Sequence, residues 1–368
     1  MKCNLRSMWS AVAVAGFLFS AAPGMAQVTP AAGFTPPDDT PTFKVGSTIF
    51  ADYTYNESPR TTDSDGNTIN NSSFNIARAY INVTGNLNHL IAYRITPDIA
   101  RETGAGSSLA GNYTFRLKYA FGQFNFDDWT TKGSWARLGL QQTPYVDFAE
   151  SVYRYRFQGP IFVDRAGFLT SSDNGLSGHW NFPGNYGDIH GGFYNGEGYS
   201  RAEVNNEKAF QLRATVRPLP MGGPYLKGLR LTAFVDDDHP VQGAKRQRYV
   251  ASVTYEHPWV NAGFDYLQAK DNTSATKPVT DGNGYSVWVT PRFGTTGWEM
   301  LLRHDDLKPN KDLTPKQKRN IVGLAYWFPN LNKVTASLMA DYDSLKQENY
   351  VPGRKDDTRY GLKMLINF

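Results

Sequence analysis

Basic residues recur on one side of segments whose apolar residues alternate with them. By this parity Arg78, Arg94, Arg116, Lys118, Arg137, Arg213, Arg217, Arg230, Arg246, Arg248, Arg303, Arg319, Arg359 and Lys363 share a polar face. Successive side chains of an extended chain point to opposite sides, so such residues line one surface. Guanidinium forks and ammonium groups arrayed this way attract oxyanions, phosphate and carboxylate above all. The same face also collects Asp98, Asp188, Glu256, Asp265, Glu299 and Asp341. Two readings follow: a surface that guides anions, or cross-strand ion pairs that stiffen a wall. The excess of basic over acidic groups favours the first.

A second group lies in Pro144 to Ser172, PYVDFAESVYRYRFQGPIFVDRAGFLTSS. Arg154, Arg156 and Arg165 stand there with Tyr153 and Tyr155, beside Asp147, Glu150 and Asp164. Arginine interleaved with tyrosine can hold an oxyanion while the rings narrow its path. The plainer alternative is an exposed loop whose charges pair among themselves.

Other chemistry finds little support. The sequence has no HExxH, no GxSxG, no P-loop and no cysteine pair. His304 precedes Asp305 and Asp306, but it falls on the apolar face and reads as an interfacial residue. No enzymatic activity, cofactor or metal site is expected. The net charge of +4 is too small to indicate nucleic-acid binding.

The elements that must position these residues are strands. The last one shows the pattern best: Tyr360, Leu362, Met364, Ile366 and Phe368 alternate with Arg359, Gly361, Lys363 and Asn367. Similar alternation recurs from Val45 to Tyr53 onward. It sets Ala77, Ala79, Ile81 and Val83 against Arg78, Tyr80 and Asn82, and Phe115, Leu117, Tyr119 and Phe121 against Arg116, Lys118 and Gly122. Further on it sets Phe210, Leu212, Ala214 and Val216 against Gln211, Arg213, Thr215 and Arg217. About sixteen such segments fit, to within about two. Short breaks such as His257-Pro258 alternate with long polar ones near 56–73, 195–207 and 344–357. Strands that are apolar outside and wet inside, with breaks of alternating length, predict a transmembrane antiparallel β-barrel. Its third outer loop, the Pro144–Ser172 stretch, should fold inward. A mean hydropathy of −0.48 does not oppose this, because alternation hides the apolar face from an average. One such strand alone could equally edge a soluble sandwich.

The N-terminus reads as a secretory signal over residues 1–26. Lys2 and Arg6 precede an apolar run from Met8 to Phe19, and Gly24-Met25-Ala26 is a small-x-small cleavage site. Its removal would take Cys3, the single cysteine, and lower the net charge to +2. A Pro-rich leader over 27–42 follows, then the barrel over 43–368. Outer-membrane lipid is the expected surroundings. A closing strand that ends on Phe368 also looks like the signal read by the bacterial barrel-assembly machinery.

The chain resembles the phosphate-selective porins of the O and P type. The resemblance rests on Gly139-Leu140-Gln141-Gln142-Thr143-Pro144, Ser172-Asp173-Asn174-Gly175-Leu176-Ser177-Gly178, Gly192-Phe193-Tyr194-Asn195-Gly196-Glu197-Gly198 and Leu212-Arg213-Ala214-Thr215-Val216-Arg217-Pro218. Ala77-Arg78-Ala79-Tyr80-Ile81 adds to it. It implies a sixteen-stranded homotrimeric bacterial outer-membrane porin with a basic ladder for small anionic solutes. The expectation is passive diffusion biased to anions, with phosphate the leading candidate. A general or organic-acid porin is the alternative, and an outer-membrane enzyme or adhesin lies further off. Neutralising Arg154, Arg156 and Arg165 should then weaken anion preference.

Overall fold

The computed structural model describes residues 39–368, apart from 105, 273, 275 and 331–333. The expected signal segment and most of the leader lie outside the described residues. The strands are β1 (Thr42–Ser58), β2 (Ser72–Asn86), β3 (Ile91–Arg101), β4 (Tyr113–Asn125) and β5 (Trp135–Gln142). Next come helices α1 (Pro144–Tyr153) and α2 (Phe162–Arg165), then β6 (Ser172–Asn181), β7 (Gly187–Tyr194) and β8 (Ala209–Val216). The chain continues through β9 (Leu229–Asp238), β10 (Arg246–His257), β11 (Val260–Asp271), β12 (Thr280–Pro291) and β13 (Trp298–Lys308). It ends in β14 (Lys316–Trp327), β15 (Thr335–Glu348) and β16 (Asp357–Asn367).

Each strand pairs antiparallel with its sequence neighbours, and β1 pairs with β16 to close a barrel of sixteen strands. Closure leaves the barrel itself without an edge strand; a separate two-stranded ribbon, Thr61–Thr62 with Thr68–Ile69, lies in the first far-end loop. Ser47 and Phe368 complete the seam, exchanging backbone hydrogen bonds of 2.9 and 3.0 Å. Thr42 and Phe368 thus mark one end of the barrel, here the near end. The third loop of the far end, residues 143–171, carries α1 and α2 into the bore.

Apolar residues of the alternating pattern face outward. Phe74, Phe115, Leu138, Phe193, Leu231, Leu324 and Leu362 are all exposed on the outer surface. Aromatic clusters ring both ends of this band. Trp298, Tyr326 and Phe328 sit at the near end, and Tyr55, Tyr360 and Tyr342 at the far end. Two aromatic girdles around an apolar band are what a bilayer-spanning barrel presents to lipid and its interfaces.

The ladder shifts register at three places among the described residues, between Asn56 and Ser58 of β1, in β2 and in β4, and the last of these corrects the parity reading. In β2, Ala77 is an extra residue: Phe50 pairs with Arg78 and Ala51 with Ile76. In β4, Lys118 is extra: Thr96 pairs with Tyr119 and Pro97 with Leu117. Pro97 has no N–H to give the ladder, which suits it to a bulge. One inserted residue reverses the faces of everything beyond it. Tyr119 and Phe121, expected outside, therefore point inward, while Gly122 is exposed. Lys118 and Tyr119 face inward together.

Two near-end breaks, 126–134 and 217–228, are longer than the short turns expected there, so the alternation of break lengths is incomplete.

Candidate functional site

The third far-end loop divides the bore. Pro144 opens α1, where its missing N–H costs nothing. Arg154 ends the helix in a left-handed conformation (φ 62°) and donates its backbone N–H to Glu150 O at 3.0 Å. One side of the loop is apolar: Tyr145, Val146, Val152, Tyr153, Tyr155, Phe157, Phe162 and Val163 are buried. They rest on Phe234, Val250, Leu267, Trp288, Leu301, Ile321, Ala325 and Met339, which project inward from β9 to β15. This half of the lumen is a dry core of the kind that holds soluble domains together.

Polar contacts fix the loop's position. Tyr145 donates to Asp265 Oδ1 at 2.7 Å, Asn261 to Val152 O at 3.1 Å, and Gln158 to Asp341 Oδ2 at 3.0 Å. Arg154 donates to both Glu299 carboxylate oxygens at 2.9 and 2.8 Å, and Arg165 to Asp343 at 3.0 Å. Arg303, paired with Asp305 at 2.7 Å, donates to Pro160 O at 2.8 Å and to the Tyr153 hydroxyl at 3.3 Å. Arg248 pairs with Asp271 at 2.6 Å and reaches Phe168 O at 3.3 Å.

These contacts correct several sequence expectations. Tyr153, Arg154, Tyr155 and Arg165 belong to the inward-folded loop, but they face the wall and anchor it. Only Arg156 of that group lines the open side. There it pairs with Glu150 at 2.7 Å and stands 3.9 Å from Asp164. Arg248 and Arg303 lie beneath the loop instead of along an open path. Arg137 is buried, stacked 3.6 Å over the Trp135 ring.

Between α1 and the wall of β1 to β9 runs a passage with a cavity of about 450 Å³. Six Lys or Arg side chains line it: Arg94, Lys118, Arg156, Arg213, Arg217 and Arg230. Among the described residues three carboxylates do: Asp147, Glu150 and Asp188. Arg213 pairs with Asp188 and also donates to Pro144 O at 3.0 Å, and Arg230 pairs with Glu256. Arg94 donates instead to Thr96 and Asn82, both at 3.0 Å, and stacks 4.4 Å over Tyr119. Among the described residues no carboxylate lies within ion-pairing distance of Arg94, Lys118 or Arg217. Asp147 and Glu150 face these cations from α1. Burial raises the carboxyl of Asp147 above its usual range, against the pull of Arg137, Arg94 and Arg213. Burial likewise raises Glu150, against the pull of Arg156.

A second chamber of about 510 Å³ opens toward the far end. Among the described residues Arg78, Arg101, Arg116, Arg359 and Lys363 line it with one carboxylate, Asp52. Arg78 and Arg116 are held by Asp98 at 2.8 and 3.0 Å. Lys363 donates to Thr54 at 3.2 Å, and Arg359 pairs with Asp357. Arg246 pairs with Asp238 and Arg319 with Asp343. The stiffened-wall reading thus describes many of the basic residues, while both chambers keep a basic excess.

Tyr80 faces inward as the alternation placed it, but sequence reasoning missed the inward Tyr119, the His179–Asp188 contact at 3.1 Å, and Tyr199 in the fourth far-end loop. The histidines carry no motif, and Tyr199 sits in a loop with no period to read.

No protein-family model matches this sequence, and no curated protein matches it. Solved structures do. A loop L8 deletion mutant of OmpT, an outer membrane protein of Vibrio cholerae, aligns with a TM-score of 0.61 at 12% identity, over 90% of this chain and 100% of that one. An anion-selective porin from Comamonas acidovorans aligns with 0.60 at 13% identity, over 89% and 100%. A trimer form of Vibrio cholerae OmpT aligns with 0.59 at 11% identity, over 90% and 100%. At such identities the likeness is one of fold: this is the barrel of outer-membrane proteins.

Proposed function

We propose that this chain is an outer-membrane porin that lets small hydrophilic solutes diffuse passively, with a bias to anions. The carrying observation is the unpaired basic track of Arg94, Lys118 and Arg217 along a passage with twice as many cations as carboxylates. Rings or rows of Arg and Lys lower the cost for an anion to leave bulk water, and anions move on because no single site binds tightly. The inward loop sets the size limit, since its dry core fills the other half of the lumen.

The name of the Comamonas acidovorans structure agrees with this bias. Phosphate as the favoured solute rests on the sequence resemblance to the O and P porins. A second reading has its own observation: Asp147 and Glu150 face the basic wall, as acids face bases across the bore of a general or organic-acid porin. Neither reading requires enzymatic chemistry. The girdled apolar band supports residence in outer-membrane lipid. The strand closing on Phe368 supports recognition by the barrel-assembly machinery. Export by a cleaved signal over 1–26 and homotrimer formation complete the proposal, the latter supported by family resemblance.

Flux into proteoliposomes tests the central reading. Chloride, phosphate and acetate should enter faster than ammonium cations of matched size, and equal or reversed rates would overturn the anion bias. Phosphate preference requires that phosphate slow chloride flux where acetate at the same concentration does not.

A further inference from the structure

Lys118 is the extra residue of the β4 bulge, and it is 3% exposed. An ammonium so nearly enclosed normally seeks a carboxylate. Its charged neighbours are the cations Arg156 and Arg78, Glu150 and Asp164 of the inward loop, and Asp98 of β3, yet among the described residues none of these acids pairs with it. Three other groups occupy the ammonium. Ser171, at the end of that loop, accepts a hydrogen bond from it. The Tyr119 ring centroid lies 5.8 Å away, and the Tyr199 ring centroid 4.3 Å away. Tyr199 also receives the Arg116 guanidinium at 5.1 Å.

Tyr199 comes from the fourth far-end loop, residues 195–208. Gly198 turns that loop inward in a left-handed conformation (φ 77°), with Thr170 close enough to crowd any side chain there. The Tyr199 backbone N–H then donates to Ser172 O at 3.1 Å. The ring face is thereby fixed against one cation of each chamber, Arg116 of the far one and Lys118 of the passage. An aromatic face holds a cation without neutralising it, whereas a carboxylate would cancel its charge.

We propose that Tyr199 is a positioning residue for selectivity: its ring keeps Lys118 off the carboxylates of the inward loop, so that the basic track stays continuous between the chambers. The inference rests on the anion-porin reading. Without the ring, Lys118 swings to Glu150 or Asp164 and the track loses a charge at its junction.

Reversal potentials of single variants and a double-mutant cycle test this. Y199A should lower the anion-to-cation permeability ratio by roughly two- to threefold, the scale of one screened lumen charge. Y199F should hold the ratio, since the ring face makes the contact. In a K118M background, Y199A should change nothing further. A Y199A effect that persists in K118M, a Y199F as weak as Y199A, or no effect at all would overturn the role of Tyr199. A cation-preferring wild type overturns the transport reading itself, whereas an anion-preferring wild type with unchanged Y199A overturns only this inference.

Discussion

Arg154 and Glu299 meet across the bore, with one guanidinium nitrogen donating to both carboxylate oxygens at 2.9 and 2.8 Å. Glu299 is shared with Arg292, at 2.8 Å. An arginine of the inward loop thus serves to hold that loop, and it does so from a left-handed backbone conformation that disfavours a side chain. R154A should weaken docking of the loop by about 1–3 kcal/mol, the cost of a lost charged hydrogen bond. Single-channel recording should show a noisier and larger current with little change in ion preference. A quiet channel with altered preference would place Arg154 on the ion path instead.

The cations without carboxylate partners should carry the preference. R94Q, K118M and R217Q should each lower the anion-to-cation permeability ratio by roughly two- to threefold, as expected for screened charges in a wet lumen. Arg303 and Arg248 lie under the loop, so neutralising them should reduce folded yield more than preference. Heat-modified gel mobility and reversal potential would separate the two effects.

Asp147 and Glu150 both hold their protons more firmly than ordinary carboxyls, chiefly through burial. They therefore lose charge at a higher pH than exposed acids do. As pH falls from neutral, the passage becomes more positive and anion preference should rise. The variant D147N/E150Q should show the raised preference already at neutral pH and a shallower pH dependence. A wild-type preference that falls on acidification would contradict the assignment.

Gly284 of β12 makes room for the loop. A Cβ there would lie 2.8 Å from the Phe162 ring and 2.6 Å from the Asp306 carbonyl. G284V should push Phe162 and α2 away from the wall, and F162A should remove about 3–5 kcal/mol of buried contact. Both should raise conductance and expose the loop to protease at lower concentration. Unchanged proteolysis in F162A would show that the polar anchors alone hold the loop.

Much of the barrel was legible because alternation is a strong signal. Phe115 and Leu117 outward and Arg213 and Arg217 inward follow from period two, and segment length marks the long loop between Gln142 and Ser172, whose inward fold was expected only by likeness to porins. Tyr119 and Phe121 did not, because a bulge reverses parity without leaving a pattern of its own. Pro97 was the available sign of it. The loop arginines were misread for a related reason. Spacing shows that Arg154, Arg156 and Arg165 share a loop, but only packing decides which faces water. The partners that decide it, Glu299 and Asp343, lie far along the chain. Tyr199 escaped because a single aromatic in a polar loop carries no spacing at all.

The central claim is that the passage favours anions, and a reversal potential measures it most directly. Purified wild-type protein would be inserted in a planar bilayer separating concentrated from dilute potassium chloride at neutral pH. The account predicts a potential of the sign set by chloride. A potential near zero, or of the sign set by potassium, would contradict it.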